Sequence, residues 1–231
     1  MSVYDSIARI YDPWSRTVTE DVPFYVEEAR RAGGPVVELC VGTGRIAVPI
    51  ALEGIPVIGI DSSPGMLEVA AETAALAGVE LDLRLGDLRE PPLEGEFPLV
   101  IIPFRSLLHM QTDEDRRAAL RAVRGLLAHE GTFVFDVFTP SAEVISETHA
   151  RWLQREPGIF ERAEWDEDRQ QLVLRVRGGG VETALSLTWL TVPEWAGLLV
   201  QEGFAVDAVY GWFDRARWRG HEDSIWVCRP A

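Results

Sequence analysis

The sequence predicts an α/β fold, a mostly parallel sheet followed by an antiparallel β insertion, and three observations predict it. Between Pro35 and Phe138 short apolar runs alternate with helical segments, the pattern of βαβ units. A glycine-rich turn, Gly42-Thr43-Gly44, stands where the first of those runs meets the first helix. After Pro140 helical periodicity gives way to alternating stretches joined by turn residues.

Taken in order, strands are predicted at 36–40, 56–60, 80–85, 99–102 and 132–137, β-branched or aliphatic runs of the length expected for strands buried on both faces. Ser63-Pro64 supplies an N-cap and a first-turn proline, and Gly78 closes that helix. Thr112 with Asp115 three residues on resembles a capping box, and Ala118, Ala119, Val123, Leu126 and Leu127 give the helix after it one apolar face. Alternation then predicts strands at 159–165, 172–176 and 181–189, the last two joined by Gly178-Gly179-Gly180, within a β-rich cap over 140–190. Thr191 and Glu194 open another capped helix ending near Gly203, and strands at 204–213 and 224–228 pair antiparallel. The acid-rich run 161–168 reads as a solvated strand or turn.

With 231 residues, the chain is expected to be one domain over 1–231, and 47% hydrophobic residues suffice for a substantial core. Acids outnumber bases 37 to 22, a formal charge of −15 that repels a phosphate backbone, so no nucleic-acid partner is expected. Every basic residue is arginine; the absence of lysine excludes Schiff-base catalysis, a P-loop and Ser-Lys chemistry. Cys40 and Cys228 stand far apart, and His109, His129, His149 and His221 show no metal-ligand spacing, so neither a disulfide framework nor a metal site is expected. No stretch approaches about 18 uninterrupted apolar residues. A reducing, cytoplasmic setting without a membrane partner follows as the expectation.

Gly42-x-Gly44-x-x-Ala47 with Asp61 satisfies a loose dinucleotide fingerprint, which leaves a nicotinamide cofactor open. Three acids at successive strand ends favour another cofactor. Glu38, in Glu38-x-Cys40-x-Gly42-x-Gly44, is placed for a cationic amine rather than a pyrophosphate. Asp61 ends the second strand and can accept from both ribose hydroxyls, and Asp87 in Gly86-Asp87-Leu88 can accept from an adenine amino group. Acids at these three ends suit a cationic adenosine cofactor.

In these motifs the chain resembles the class I S-adenosylmethionine-dependent methyltransferases of small-molecule type, well over about residues 1 to 140 and in outline beyond. The resemblance implies a Rossmann-like, doubly wound seven-stranded sheet with the last strand antiparallel, in agreement with the strands read above. It also implies that the N-terminal segment, 1–32, folds over the cofactor; Tyr4, Tyr11 and Trp14 in the first 14 residues fit a helical lid. S-adenosylmethionine is the implied cofactor and S-adenosylhomocysteine the product. The residues assigned to it are Tyr11, Glu38, Cys40, Gly42, Gly44, Asp61, Ser62, Met66, Gly86, Asp87, Leu88 and Phe104. Cys40 stands where the family commonly has glycine.

His109, in the loop after strand four, is the candidate general base for a hydroxyl acceptor; its alternative is a structural histidine at the cofactor's edge. Arg105 in the same loop is assigned to a substrate carboxylate or phosphate, against a surface salt bridge. Tyr4, Trp14, Trp152 and Trp212 complete the substrate candidates, since aromatic faces suit planar or cationic acceptors. The expected activity is methyl transfer to nitrogen or oxygen of a small molecule. The alternatives are a non-catalytic protein that binds S-adenosylmethionine and an NAD(P)-dependent oxidoreductase.

Overall fold

The computed structural model describes residues 2–15 and 19–231, so residues 1 and 16–18 of the expected lid lie outside the described residues. Two helices come first, α1 (Ala8–Ser15) and α2 (Asp21–Ala32). The βαβ region follows as β1 (Val36–Leu39), α3 (Ala47–Leu52), β2 (Val57–Asp61), α4 (Pro64–Ala77), β3 (Asp82–Leu85), β4 (Phe97–Ile102), α5 (Asp113–Leu126) and β5 (Leu127–Phe138). Then come α6 (Ala142–Thr148), the strands β6 (Trp152–Glu156), β7 (Ile159–Asp166), β8 (Gln171–Gly178) and β9 (Val181–Thr188), and finally α7 (Val192–Gln201), β10 (Phe204–Tyr210) and β11 (Asp223–Pro230).

Seven strands form one sheet in the order β10-β11-β5-β4-β1-β2-β3. The β1 pairings with β2 and β4, and those of β2 with β3 and β4 with β5, are parallel; β11 runs antiparallel to both β5 and β10. The last strand is therefore the antiparallel one. The chain's order reverses between β1 and β4, and a sheet wound in both directions from such a point opens a crevice at its carboxyl edge. Helices cover both faces. On one, Leu120, Val123, Trp195 and Leu199 pack on Val100, Phe133 and Phe135; on the other, Phe24, Tyr25, Ala29 and Ile50 pack on Val36, Leu99 and Val134.

The helix ends obey their sequence signals. Ser63 Oγ accepts from the Met66 amide and Gly78 closes α4 in the left-handed region at φ 71°. Thr112 Oγ1 accepts from the Asp115 amide, and Thr191 with Glu194 forms a capping box. Two expectations need correction. β3 lies at the edge of the sheet and is half-exposed, in keeping with the alternation Glu80-Leu81-Asp82-Leu83-Arg84-Leu85, and is not a strand buried on both faces. The cap expected to be β-rich over 140–190 opens instead with a helix, α6, announced by Ser141 Oγ accepting from the Val144 amide.

β6 to β9 make a separate antiparallel sheet in sequential order. Its outer face carries Arg162, Glu164 and Arg175, linked as ion pairs at 3.4 Å. The inner face looks back at the carboxyl edge of the large sheet, and a single cavity lies between them.

Candidate active site

The cavity has a volume of about 460 Å³. Its floor is built by the loops that leave β1, β2, β3 and β4, which is where a doubly wound sheet positions ligand-binding groups. Cys40 and Gly42 come from the first loop, Asp61, Ser62 and Met66 from the second, Gly86, Asp87 and Leu88 from the third, and Phe104, Arg105 and His109 from the fourth. Tyr4, Tyr11 and Trp14 descend from the N-terminal segment. All of these are residues singled out above.

Four others fall elsewhere. Glu38 is 2% exposed and sits behind the glycine turn, and Gly44 at φ 81° packs toward Val48 and Ala70; neither lines the cavity. Trp152 lies under the Arg177 guanidinium, 4.0 Å from its ring centroid, and Trp212 meets Phe213 edge to face; neither lines the cavity, whereas Trp165 does. The acid-rich run is not wholly solvated either: Glu161 lines the cavity, accepts from Trp14 Nε1 at 2.9 Å and pairs with Arg155.

The first loop is held by its neighbour. Asp61 Oδ2 accepts from the Gly42 amide at 2.9 Å and Oδ1 from the Ser63 amide at 2.8 Å, tying the ends of β1 and β2 together. Burial raises the Asp61 carboxyl, with those backbone bonds opposing. Gly42 (φ 57°) and Cys40 (φ 61°) both occupy the left-handed region, which only glycine enters without strain. The glycine common in the family at Cys40 has its physical reason here. Asp87 differs: Arg89 chelates it at 2.9 and 2.6 Å and holds its carboxyl below the usual range.

The fourth loop rests on a residue that the sequence reading missed. Asp136 of β5, 5% exposed, accepts from the Phe104 amide at 2.8 Å, the Arg105 amide at 3.0 Å and Tyr25 Oη at 2.6 Å. Phe104 (φ 56°) and Arg105 (φ 61°) are both left-handed, and the three bonds offset that strain. Burial pushes the Asp136 carboxyl up to about 6, with the Tyr25 bond opposing. Its signal was present, an acid in the middle of the apolar run Phe133 to Phe138. Arg105 lines the cavity and forms the ion pair set against its anion role, its guanidinium 2.6 Å from Asp223 and 4.7 Å from the Phe138 centroid.

His109 Nε2 stands 2.7 Å from Tyr4 Oη. Burial drives the His109 imidazole down to about 4, opposed by a hydrogen bond to the Ser186 carbonyl, and burial also raises the Tyr4 phenol. The phenol therefore keeps its proton, and to a neutral imidazole it can donate at Nε2.

The N-terminal segment is fastened on both sides. Asp5 accepts from Ser63 Oγ at 2.6 Å and the Gly65 amide at 3.1 Å, Asp12 accepts from Thr43 Oγ1 at 2.6 Å, and Arg9 pairs with Glu68 and Glu72 of α4. Trp14 reaches across to Glu161 of the second sheet. Tyr11 meets Tyr4, Trp14 and Phe104 edge to face, at centroid distances of 5.8 to 6.2 Å.

The residues fit an adenosine cofactor bearing an amino acid end. Apolar Met66 and Leu88 stand beside the carboxylates of Asp61 and Asp87, as a base and a ribose require. Two buried polar atoms, Ser15 Oγ and Glu38 Oε2, have no hydrogen-bond partner among the described residues. Burial holds the Glu38 carboxyl well above its ordinary range, with Arg45 opposing, so a cation brought near it would be favoured.

Residues 36–131 match the family described as "Methyltransferase domain", and the sheet order is that of a solved S-adenosylmethionine-dependent methyltransferase fold. The match favours the methyltransferase reading of the glycine turn over the dinucleotide one. The putative methyltransferase YqeM of Bacillus subtilis is 32% identical over 139 residues, 59% of this chain and 53% of that protein. The glycine/sarcosine N-methyltransferase of Parasynechococcus marenigrum is 29% identical over 126 residues, 53% of this chain and 45% of that protein. The chain spans about half the length of these curated relatives. An S-adenosylmethionine-dependent methyltransferase structure from Clostridium acetobutylicum superposes over 100% of both chains with a TM-score of 0.84 at 14% identity, a likeness of fold. Among the described residues no helix is long and apolar enough to cross a membrane.

Proposed function

We propose that the protein transfers a methyl group from S-adenosylmethionine to a small-molecule acceptor, at nitrogen in preference to oxygen. The observation that carries the reading is the convergence of Asp61, Asp87 and the Tyr4–His109 pair on one cavity closed by the second sheet. Asp61 receives the ribose hydroxyls, Asp87 the adenine amino group, and Ser62, Met66, Gly86 and Leu88 enclose the base. Tyr11, Cys40, Gly42 and Phe104 surround the methionine end, with Ser15 beside it and Glu38 behind the glycine turn. Residues 2–15 act as the lid, and the sheet β6 to β9 as an acceptor-specific cap.

When bound, the cofactor supplies an electrophilic methyl group and leaves as S-adenosylhomocysteine. The chain's contribution is alignment of the acceptor and exclusion of water, both of which a closed cavity provides. An amine attacks with its own lone pair and afterwards loses one proton to solvent or to a nearby carboxylate. A hydroxyl needs its proton removed, by way of Tyr4 Oη to His109 Nε2. An imidazole held near 4 is a weak base for that task, and this favours nitrogen. The name of the cyanobacterial relative, an N-methyltransferase of small amino acids, points the same way. An acceptor screen reading S-adenosylhomocysteine formation tests the proposal, with Tyr4→Phe and His109→Ala run alongside; turnover of an oxygen acceptor that exceeds that of every amine would reverse the preference.

A further inference from the structure

The wall that the second sheet turns toward the cavity has a composition that narrows the acceptor class. On the inner face of β7, β8 and β9 two adjacent rows of directly paired neighbours are apolar, Trp165 with Leu172 and Leu187, and Ala163 with Leu174 and Leu185; the row beyond them, Glu161 with Val176 and Thr183, brings in a carboxylate. All six residues of the two apolar rows line the cavity, and none carries a polar group there other than the Trp165 indole N–H, which is taken up by Thr148 Oγ1 at 2.8 Å. The outer face of the same strands is polar and ion-paired. The sheet is thus amphipathic, and across this stretch its apolar side bounds a cavity.

The rows begin next to the reacting end. Gln111 Nε2 donates both to the His109 carbonyl at 3.1 Å and to the Ser186 carbonyl at 2.7 Å, and Ser186 lies between Leu185 and Leu187 on β9. From β9 the strip runs over β8 to Trp165 on β7. With strands about 4.8 Å apart, two intervals give a strip about 10 Å long. The cavity's charged side chains lie outside these rows; Arg105 pairs with Asp223, and Arg155 with Glu161 of the neighbouring row. Both arginines of the lining thus have a carboxylate partner, and the strip itself offers no hydrogen-bonding partners to a polyhydroxylated ring.

We infer that the acceptor is an amine with an extended apolar body, about 10 Å long, which lies along this strip with its nitrogen at Tyr4 and His109. A free amino acid or an unmodified amino sugar is not the acceptor. The inference rests on the methyltransferase reading, so the test separates the two. Calorimetry first measures S-adenosylhomocysteine; failure to bind counts against the methyltransferase reading itself. With the protein saturated in that product, primary n-alkylamines from propyl to octyl, glycine and glucosamine are then titrated. Each added methylene should tighten the alkylamine by about fourfold, the equivalent of about 0.8 kcal/mol, until the strip is filled. Leu174→Glu should flatten that dependence while leaving S-adenosylhomocysteine affinity unchanged. Affinity that does not rise with chain length, or glucosamine or glycine binding as tightly as octylamine, would overturn the inference.

Discussion

Tyr4 Oη of the N-terminal segment and His109 Nε2 stand 2.7 Å apart, so that segment and the strand-four loop share one hydrogen bond above the cavity floor. The bond couples the two side chains. It also means that neither residue acts alone. For an amine acceptor, His109→Ala and Tyr4→Phe should each lower turnover only modestly, through positioning. For a hydroxyl acceptor each should cost roughly 10² to 10⁴, and the double variant no more than the worse single one. Steady-state kinetics on one acceptor of each kind checks this; additive losses would show that the two side chains work independently.

Asp136 is the residue most sensitive to pH. Its folded pKa, about 6, lies above that of an unfolded aspartate, so its contribution to stability is full below pH 4 and is lost as pH rises through 6. Between pH 5 and pH 8 this amounts to about 1 to 2 kcal/mol. Function runs the other way, because the ionised form accepts from Phe104, Arg105 and Tyr25 together. Urea denaturation of wild type and Asp136→Asn at the two pH values should show a stability difference that the variant loses, and the wild-type activity should fall on its acid side near pH 6.

Cys40 at φ 61° predicts an unusual order among substitutions. Cys40→Gly should fall within about 1 kcal/mol of wild type, since relief of left-handed strain offsets the chain entropy of glycine. Cys40→Val should be less stable than Cys40→Gly by about 1 to 2 kcal/mol, because a β-branched residue tolerates this region poorly. Thermal unfolding of the three proteins checks the order.

Asp5 ties the lid to the N-terminus of α4 through Ser63 and Gly65. Asp5→Ala should speed hydrogen exchange across residues 2–15 and weaken S-adenosylhomocysteine, while leaving protection in β4 and β5 unchanged. Exchange in that segment that is identical with and without S-adenosylhomocysteine would count against its role as a lid.

The parts of this molecule that were legible in the sequence are those set by local chemistry. The Ser63 and Thr191 caps, the glycine turn and the buried strands β1, β4 and β5 follow from periodicity and from residues with a single conformational use. What stayed hidden depends on contacts between distant segments. The half-exposure of β3 matches its alternation over 80–85, but the edge it occupies is decided by strand order, which that alternation does not encode. Arg105 could not be assigned because Asp223, its partner, lies 118 residues away, and Glu161 meets Trp14 across 147. The covering of Trp152 by Arg177 is likewise a cross-strand matter. Asp136 was readable as an anomaly, an acid in an apolar strand, but its three donors come from two other elements.

The most direct test of the account is calorimetric titration of S-adenosylhomocysteine into wild type and Asp61→Ala, with NADH as control. Asp61 presents two oxygens at the end of β2 and already anchors the Gly42 turn, so its loss removes hydrogen bonds worth roughly 1.5 to 3 kcal/mol each. The account predicts one site in wild type, affinity weaker by tenfold or more in Asp61→Ala, and no heat with NADH. Equal affinity in the two proteins, or binding of NADH in place of S-adenosylhomocysteine, would contradict it.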